Sequence, residues 1–502
     1  MQLKKTDLFA IIVVILFVNN AKAQVYINPF TQYGIGELQE MTQVNRLGMG
    51  GTSYTETDPN RYNFANPASY SLTNYFSFEI GATGTLYQYQ NDETSFKNLN
   101  VKVPYLSLAF PIDSNLRWGF SAGLMPFSTV SYDLTSSDTV VNEINNRHIA
   151  RTLYQTGSGG LTRFYLGTSI RLFHNFYLGA NAAYIFGNTQ TTQTQAFTDT
   201  TTFYGVHQTA SNVTGGFLFD IGAVYNINFR LPYKVYNESV LNRYNELKDS
   251  LKLVIKKDGA STDIKSKYGN LINEIVVVKD SLKHTKVAKK NRYTIQLGGT
   301  VNLPSNLPTT QTIYATTYSN GLAISDSISN FTKSHDYIYM PMGVGGSIEL
   351  RSEKNWEIVL TAAYKQWSQY KFLGATDSLK NSYSYGIGLS WTPPKRQMNN
   401  NVWTTANYRL GFKYTQTPYI VGGNPVNDMC LSLGMGLPIA TNIRMQNQKA
   451  EVAPKNWPYI DFALQVGQIG TLSQNHLQQQ YVMMSIGVHI FELNWFQKRK
   501  LE

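Results

Sequence analysis

One cysteine in 502 residues, Cys430, leaves no partner for an internal disulfide, and it lies far from the N-terminus, which argues against a lipid-anchored start. Charge is scarce, at 15% of the chain. The only long apolar run is Leu8–Val18, eleven residues, about half of the roughly twenty a membrane-crossing helix needs. Once that run is removed, no helical crossing is expected. The seven histidines show no metal-ligand spacing, so no metal site is expected. Gly48-Met-Gly50-Gly51 has neither a preceding strand nor a following helix, so no nucleotide cofactor is expected.

The run at Leu8–Val18 follows a basic start (Lys4, Lys5) and precedes a small-x-small site, Ala21-Lys22-Ala23. This pattern predicts a cleavable export signal over residues 1–23. Aromatics reach 13%, with 34 Tyr, and mean hydropathy is −0.26. That mixture is too polar for a helical membrane protein and suits a barrel, in which every second strand residue faces lipid. The net charge of +11 raises the question of nucleic acid. A nucleic-acid surface spreads charge over a continuous face, whereas Arg230–Arg292 alone holds fifteen Lys/Arg against seven Asp/Glu. Nucleic-acid binding is therefore not expected.

Alternation and turn chemistry predict fourteen strands between residues 74 and 492, an all-β, antiparallel transmembrane β-barrel of the Gram-negative outer membrane. In Tyr204–Phe229 the pattern sends Phe217, Phe219, Ile221, Ala223, Tyr225, Ile227 and Phe229 toward lipid and Asp220, Asn226 and Asn228 into the lumen. In Gln478–Glu492 it sends Val482, Met484, Ile486, Val488 and Ile490 outward. A soluble sandwich would alternate too, but the early links run long, short, long in turn, as periplasmic turns and outside loops do.

The sixth link should be a short periplasmic turn and is instead the basic segment, residues 233–291. Val240, Tyr244, Leu247, Leu251 and Val254 recur at helical spacing, as do Ile264, Tyr268, Leu271, Ile275, Val278 and Leu282, with Asp258-Gly259 between the runs. A periplasmic helical hairpin with one apolar seam is predicted. Tyr244, Leu247, Leu251, Tyr268, Leu271 and Ile275 are its candidate partner-binding residues. Three roles stay open for it: decoration of the barrel, docking of a protein partner, and attraction to anionic lipid head groups.

Residues 24–73 lack sustained alternation. A fourteen-stranded lumen is too wide for wall side chains to fill, so this segment is expected to fold inside as a hatch. Gly48, Gly50 and Gly51 allow tight bends, and Pro67 fixes the entry to the first strand. Arg46, Asp58 and Arg61 are expected to meet lumen polar groups such as Glu357 or Asp220, because buried charge needs partners. Residues 493–502 read as a basic tail.

The stretch Arg46-Leu-Gly-Met-Gly-Gly-Thr-Ser-Tyr-Thr-Glu-Thr-Asp-Pro-Asn-Arg-Tyr-Asn-Phe-Ala-Asn-Pro-Ala-Ser69 resembles the N-terminal pattern of the FadL family, outer-membrane transporters of long-chain fatty acids and other hydrophobic compounds. PorV-type barrels, which serve secretion, share that pattern. The match rests on Gly50-Gly51, Asp58 and Asn66-Pro67-Ala68. The turn Asp58-Pro59-Asn60 and the helical insertion depart from it. The resemblance implies a monomeric barrel whose ligand is caught outside, passes the hatch and leaves sideways into the membrane, with no enzymatic step. Tyr26, Phe30, Tyr33, Tyr54 and Phe64 are candidates to line an apolar pocket beside the hatch. The other reading is a scaffold barrel of a secretion-related outer-membrane complex, binding periplasmic or outer-membrane proteins through the hairpin. A polar porin, which lacks a hatch, fits least. Gly119-Phe-Ser121-Ala-Gly123 spells a nucleophile elbow, but it falls inside a predicted strand, where the required strand-to-helix turn has no place.

Overall fold

The computed structural model describes residues 27–51, 53–56, 58, 60–113, 117–142, 147–197, 204–236, 238–258, 264–284, 286–319, 322–323, 330–352, 356–393, 403, 406–439 and 458–492. The expected signal, Tyr26 and the basic tail lie outside these residues.

Fourteen antiparallel wall strands close on themselves. They are β1 (Phe76–Asn91), β2 (Ser95–Lys102 and Leu106–Asp113), β3 (Trp118–Thr129 and Tyr132–Asn142), β4 (Arg147–Phe173), β5 (Phe176–Phe197), β6 (Gly205–Tyr236) and β7 (Lys286–Asn302 and Ser305–Ser319). They continue as β8 (Asn330–Met340 and Gly343–Ser352), β9 (Trp356–Lys365), β10 (Ser382–Trp391), β11 (Asn407–Val421), β12 (Asn424–Pro438), β13 (Tyr459–Ile469) and β14 (Leu477–Glu492). Sixteen consecutive pairs between β1 and β14, from Phe76↔Glu492 to Asn91↔Leu477, close the wall. Closure removes the unpaired edges that an open sheet would present to lipid.

The period-2 pattern sets the two faces. Phe217, Phe219, Ile221, Tyr225 and Ile227 are exposed while Asp220 between them is buried. Val482, Met484, Ile486 and Ile490 are exposed, and Ser485 and His489 are buried.

The structure differs from the sequence reading at strand interruptions. β2 breaks at Val103-Pro104-Tyr105, β7 at Leu303-Pro304 and β8 at Pro341-Met342. Each contains a proline, which cannot donate to a ladder. β3 breaks at Val130-Ser131, after its register shifts between Pro126 and Ser128. β9 ends at Lys365 rather than Phe372, and a 3₁₀ turn, Trp367–Gln369, follows. The alternation of turn lengths is also weaker than expected: residues 92–94 alone join β1 to β2, a link expected to be long, and the alternation lapses again late in the chain. The link from β11 to β12 is only Gly422-Gly423, whereas residues 392–406 and 439–458 join strands at the end where short turns were expected.

The chain divides into two compact units. One comprises Met1–Asn226, Ile295–Leu350 and Asn355–Glu502, and the other Ile227–Thr294 with Arg351–Lys354. In the second, α1 (Glu238–Asp258) and α2 (Ile264–His284) pack on each other. Leu247 and Leu282 are buried, and Arg243 bridges to Glu274 at 2.8 Å. Tyr244, Leu251, Leu271 and Ile275 are half-buried, so the pair's own seam takes them. Tyr268 is helical, but its side chain lies outside the described residues. Among the described residues of the two helices, the exposed apolar ones are instead Leu253, Val276 and Val277.

A charge on the outward face separates a lipid-facing wall from a soluble surface. Ile486→Arg should destabilise the barrel by roughly 2–4 kcal/mol in urea titrations in lipid vesicles. A change within about 0.5 kcal/mol, as expected of an ordinary surface site, would contradict that assignment.

Candidate functional site

The wall strands spend their backbone hydrogen bonds on one another, so any chain inside the barrel must find other partners for its own amides. Residues 40–74 find them largely on lumen-facing side chains. Gly50 N donates to Ser432 Oγ at 2.8 Å, Tyr54 N to Ser347 Oγ at 2.9 Å and Ser71 N to Ser169 Oγ at 2.7 Å. Glu56 N donates to Gln296 Oε1. Val44 N donates to Tyr105 Oη at 3.0 Å, and Gln465 Nε2 donates to Leu47 O at 3.1 Å.

Local sequence shapes the segment. Asn66 caps the 3₁₀ helix Pro67–Leu72: its Oδ1 accepts from Ala68 N at 3.1 Å, and Pro67, with no N–H to satisfy, holds the first helical position. The same side chain donates through Nδ2 to Tyr54 O at 2.7 Å and to the wall at Ala223 O at 3.2 Å. Gly50 and Gly51 follow the single turn Val44–Leu47 at φ +89° and +97°, a region that favours glycine.

Wall glycines let this backbone approach closely. A Cβ built on Gly411 would lie 2.0 Å from Gly50 N, one on Gly298 would lie 2.0 Å from Tyr54 O, and one on Gly119 would lie 2.2 Å from Tyr70 O. Gly388 faces Met49 O, Gly434 faces Gly48 and Gly222 faces Asn66 in the same way. These glycines sit on six different strands, so the segment is clasped around much of the wall.

Buried ion pairs fix it further. Arg46 reaches Glu357 at 2.7 Å, Glu56 at 3.0 Å and Glu349 at 3.4 Å, and it also donates to Thr55 O at 3.2 Å. Burial pushes the Glu56 carboxyl above its ordinary range, and Arg46 opposes the shift. Arg61 pairs with Asp461 at 2.8 Å, and Asp461 also binds Arg409 at 2.6 Å. Asp58 lies 3.9 Å from Arg61. The expected meeting of Arg46 with Glu357 is present, but Asp220 takes no part in holding the segment's charges: it pairs with Arg163 and accepts from Asn302 Nδ2 at 2.6 Å. Arg163, on β4, claims that carboxylate from within the wall.

The aromatic candidates pack on rings rather than surround a hollow. Phe30 and Tyr33 lie 6.2 and 5.7 Å from Tyr419, and Phe64 lies 5.1 Å from Tyr105. The Tyr54 ring covers Gly345, and Ala68 is buried. Ser121, of the apparent elbow, is fully buried in β3, with Oγ 2.8 Å from Leu108 O and 3.0 Å from Tyr165 Oη.

Sequence reasoning did not locate a parting of the wall. The lower piece of β2 pairs with both β1 and β3. Its upper piece, Ser95–Lys102, pairs with β1, and the upper piece of β3, Tyr132–Asn142, pairs with β4. Among the described residues no ladder joins these two upper pieces.

The N-terminal segment enters this parting. Glu37 and Leu38 pair with Thr129 and Ser128, Gln39 N donates to Phe127 O at 3.0 Å, and Asn28 N donates to Ser131 O at 2.7 Å. From the other side Asn98 Nδ2 reaches Ile27 O at 3.4 Å, and Lys102 Nζ donates to Gln39 Oε1. Gly36, at φ +90°, lies so close to β3 that a Cβ there would fall 2.3 Å from Thr129 O. Val101 and Val103, beside the parting, are strongly exposed.

The model of the BamG family matches residues 3–298 and 276–502. No curated protein matches the chain. Among solved structures, a Pseudomonas aeruginosa FadL homologue is 11% identical with a TM-score of 0.51, the match covering 91% of this chain and 99% of that one. The CymD monoaromatic hydrocarbon channel is 10% identical at 0.47, with coverage of 90% and 97%. The Pseudomonas putida toluene transporter TodX is 14% identical at 0.42, with coverage of 93% and 99%.

Removing Arg46 takes the cation away from the buried carboxylates of Glu56 and Glu349. Arg46→Ala should loosen the segment by about 3–5 kcal/mol, and Gly411→Val should do so by collision. Either change is expected to raise ion conductance in planar bilayers and expose residues 40–60 to protease. Unchanged conductance and proteolysis in both variants would show that these contacts do not hold the segment.

Proposed function

Given that this chain belongs to the BamG family and folds as a FadL-type outer-membrane barrel, we propose that it passes hydrophobic small molecules of fatty-acid type from outside, past the N-terminal segment acting as a hatch, and sideways into the membrane. The observation that carries this reading is the parting between the upper pieces of β2 and β3, occupied by residues 27–39. A two-residue ladder and a few hydrogen bonds are far weaker than the sixteen-pair seam between β1 and β14. The segment can withdraw there without opening the barrel. Val101 and Val103 give the parting an apolar lip, suited to a molecule that leaves into lipid rather than water. The CymD and TodX channels, named for monoaromatic hydrocarbons and toluene, are in keeping with such cargo. Passage needs no chemical step and no cofactor.

A second reading draws on the helical unit. Leu253, Val276 and Val277 are exposed on α1 and α2, off the seam that binds the helices together. Passage of a small molecule does not require such a pair. This favours a scaffold role, with a protein partner covering those residues.

The two readings separate experimentally. Leu38→Cys with Ser128→Cys joins register partners. In proteoliposomes the oxidised double variant should lose transfer of a fluorescent fatty acid and regain it on reduction. Equal transfer in both states would reject this exit, and wild-type transfer no faster than in protein-free vesicles would reject uptake. For the scaffold reading, Leu253→Asp with Val277→Asp should abolish co-purification of a stoichiometric protein from native membranes while the barrel still folds. Retention of that protein would reject a role for these residues.

A further inference from the structure

The outward wall across β2, β1, β14, β13 and β12 carries a pattern that the uptake reading does not use. Lys97, Gln88, Gln480 and Gln468 stand in one register row: Gln88 pairs with Lys97 on one side and Gln480 on the other, and Gln480 pairs with Gln468. Each strand alternates, so these residues share the face of Leu86, Val482 and Val466, which are 48%, 38% and 50% exposed. Those three form the next row on the same face, again in mutual register, and Leu431 extends it. A hollow of about 540 Å³ spans both rows.

A lysine and three amides on a lipid-facing wall are out of character for a barrel, whose interfacial girdle is normally aromatic. Among the described residues, Lys97 has no carboxylate within ion-pair distance, and no side-chain hydrogen bond occupies the amides of Gln88 and Gln480. Gln468 donates to Gly470 O at 3.1 Å. A cation and free N–H donors thus lie at one height, directly beside an apolar trough. The row sits near the β1–β2 turn, the outside end in the orientation read from the early links. We propose that this hollow is a binding site for a phosphate-bearing lipid of the outer leaflet. The phosphate is held by the Lys97 ammonium and the Gln88 and Gln480 amides, and an acyl chain lies over Leu86, Val482, Val466 and Leu431. An ammonium serves here as a point charge for phosphate, and basic residues at a membrane surface favour anionic head groups.

The test uses the full-length barrel in neutral detergent, mixed with diphosphorylated lipid A or with the same lipid stripped of its phosphates, and read by native mass spectrometry. Wild type should retain one phosphorylated lipid and about fivefold less of the stripped one, the factor expected for one basic residue at a lipid surface. Lys97→Gln should reduce that preference to about one. Val482→Trp, which fills the trough while leaving Lys97 in place, should lose both lipids. Equal retention of the two lipids by wild type, or unchanged retention in both variants, would overturn the proposal. Both positions face outward, and heat-dependent gel migration confirms that each variant is folded.

Discussion

A closed fourteen-stranded wall spends nearly all of its backbone donors and acceptors on itself, leaving the inner chain a few at the interruption of β3, and the lumen is organised around that constraint. The chain that fills the barrel depends on side chains of the wall for its amides, and on missing side chains for its space. Serines 169, 347 and 432 meet the first need, and Gly119, Gly298 and Gly411 meet the second. Both devices require the lumen face of a strand to carry small polar residues or none, which is why that face is polar while the outward face carries the apolar residues.

Charge adds direction to this fit. Arg46 and Arg61 each meet carboxylates from the wall, Glu349 and Glu357 for one and Asp461 for the other, so the segment is fixed at two points about which it cannot slide freely. Buried ion pairs contribute little net stability, but breaking one is costly. Such pairs specify position more than they stabilise it. The portion that enters the parting is held differently, by a two-residue ladder and a few hydrogen bonds. The segment thus has a firmly placed middle and a lightly placed start, as a hatch with a fixed body and a movable edge would require.

Much of this was legible in sequence because alternation is a local property. Fourteen strands and their faces follow from period-2 patterning, whereas the 3₁₀ turn that Asn66 caps was not read from the sequence, which marked Asn66-Pro67-Ala68 only through a family resemblance. Arg46 was expected to seek a lumen carboxylate, yet its partner could not be singled out from Glu357 and Asp220, because that choice depends on which strand a cation already occupies. Arg163 reaches Asp220 from two strands away, across β5, and claims it. The breaks in β2, β7 and β8 left a trace in Pro104, Pro304 and Pro341, each inside a run that otherwise reads as a strand. The parting itself left none. It arises because β2 and β3 each continue past their breaks beside the strand on their far side, and pairing preferences of that kind are not written in either strand alone.

The helical unit follows a different logic from the wall. Its seam residues satisfy each other, so the periodicity that reveals the helices in sequence identifies the surface that is already used. The residues left exposed, Leu253, Val276 and Val277, fall outside that periodicity and look unremarkable in the sequence. An amphipathic pattern therefore locates the internal contact of a helix pair, and any external contact must be sought in its exceptions. The same holds for the wall, where Lys97, Gln88, Gln480 and Gln468 interrupt a largely apolar stretch of the outward face. In both units the residues that break the fold's own pattern, rather than those that fulfil it, are the ones left available for something other than folding.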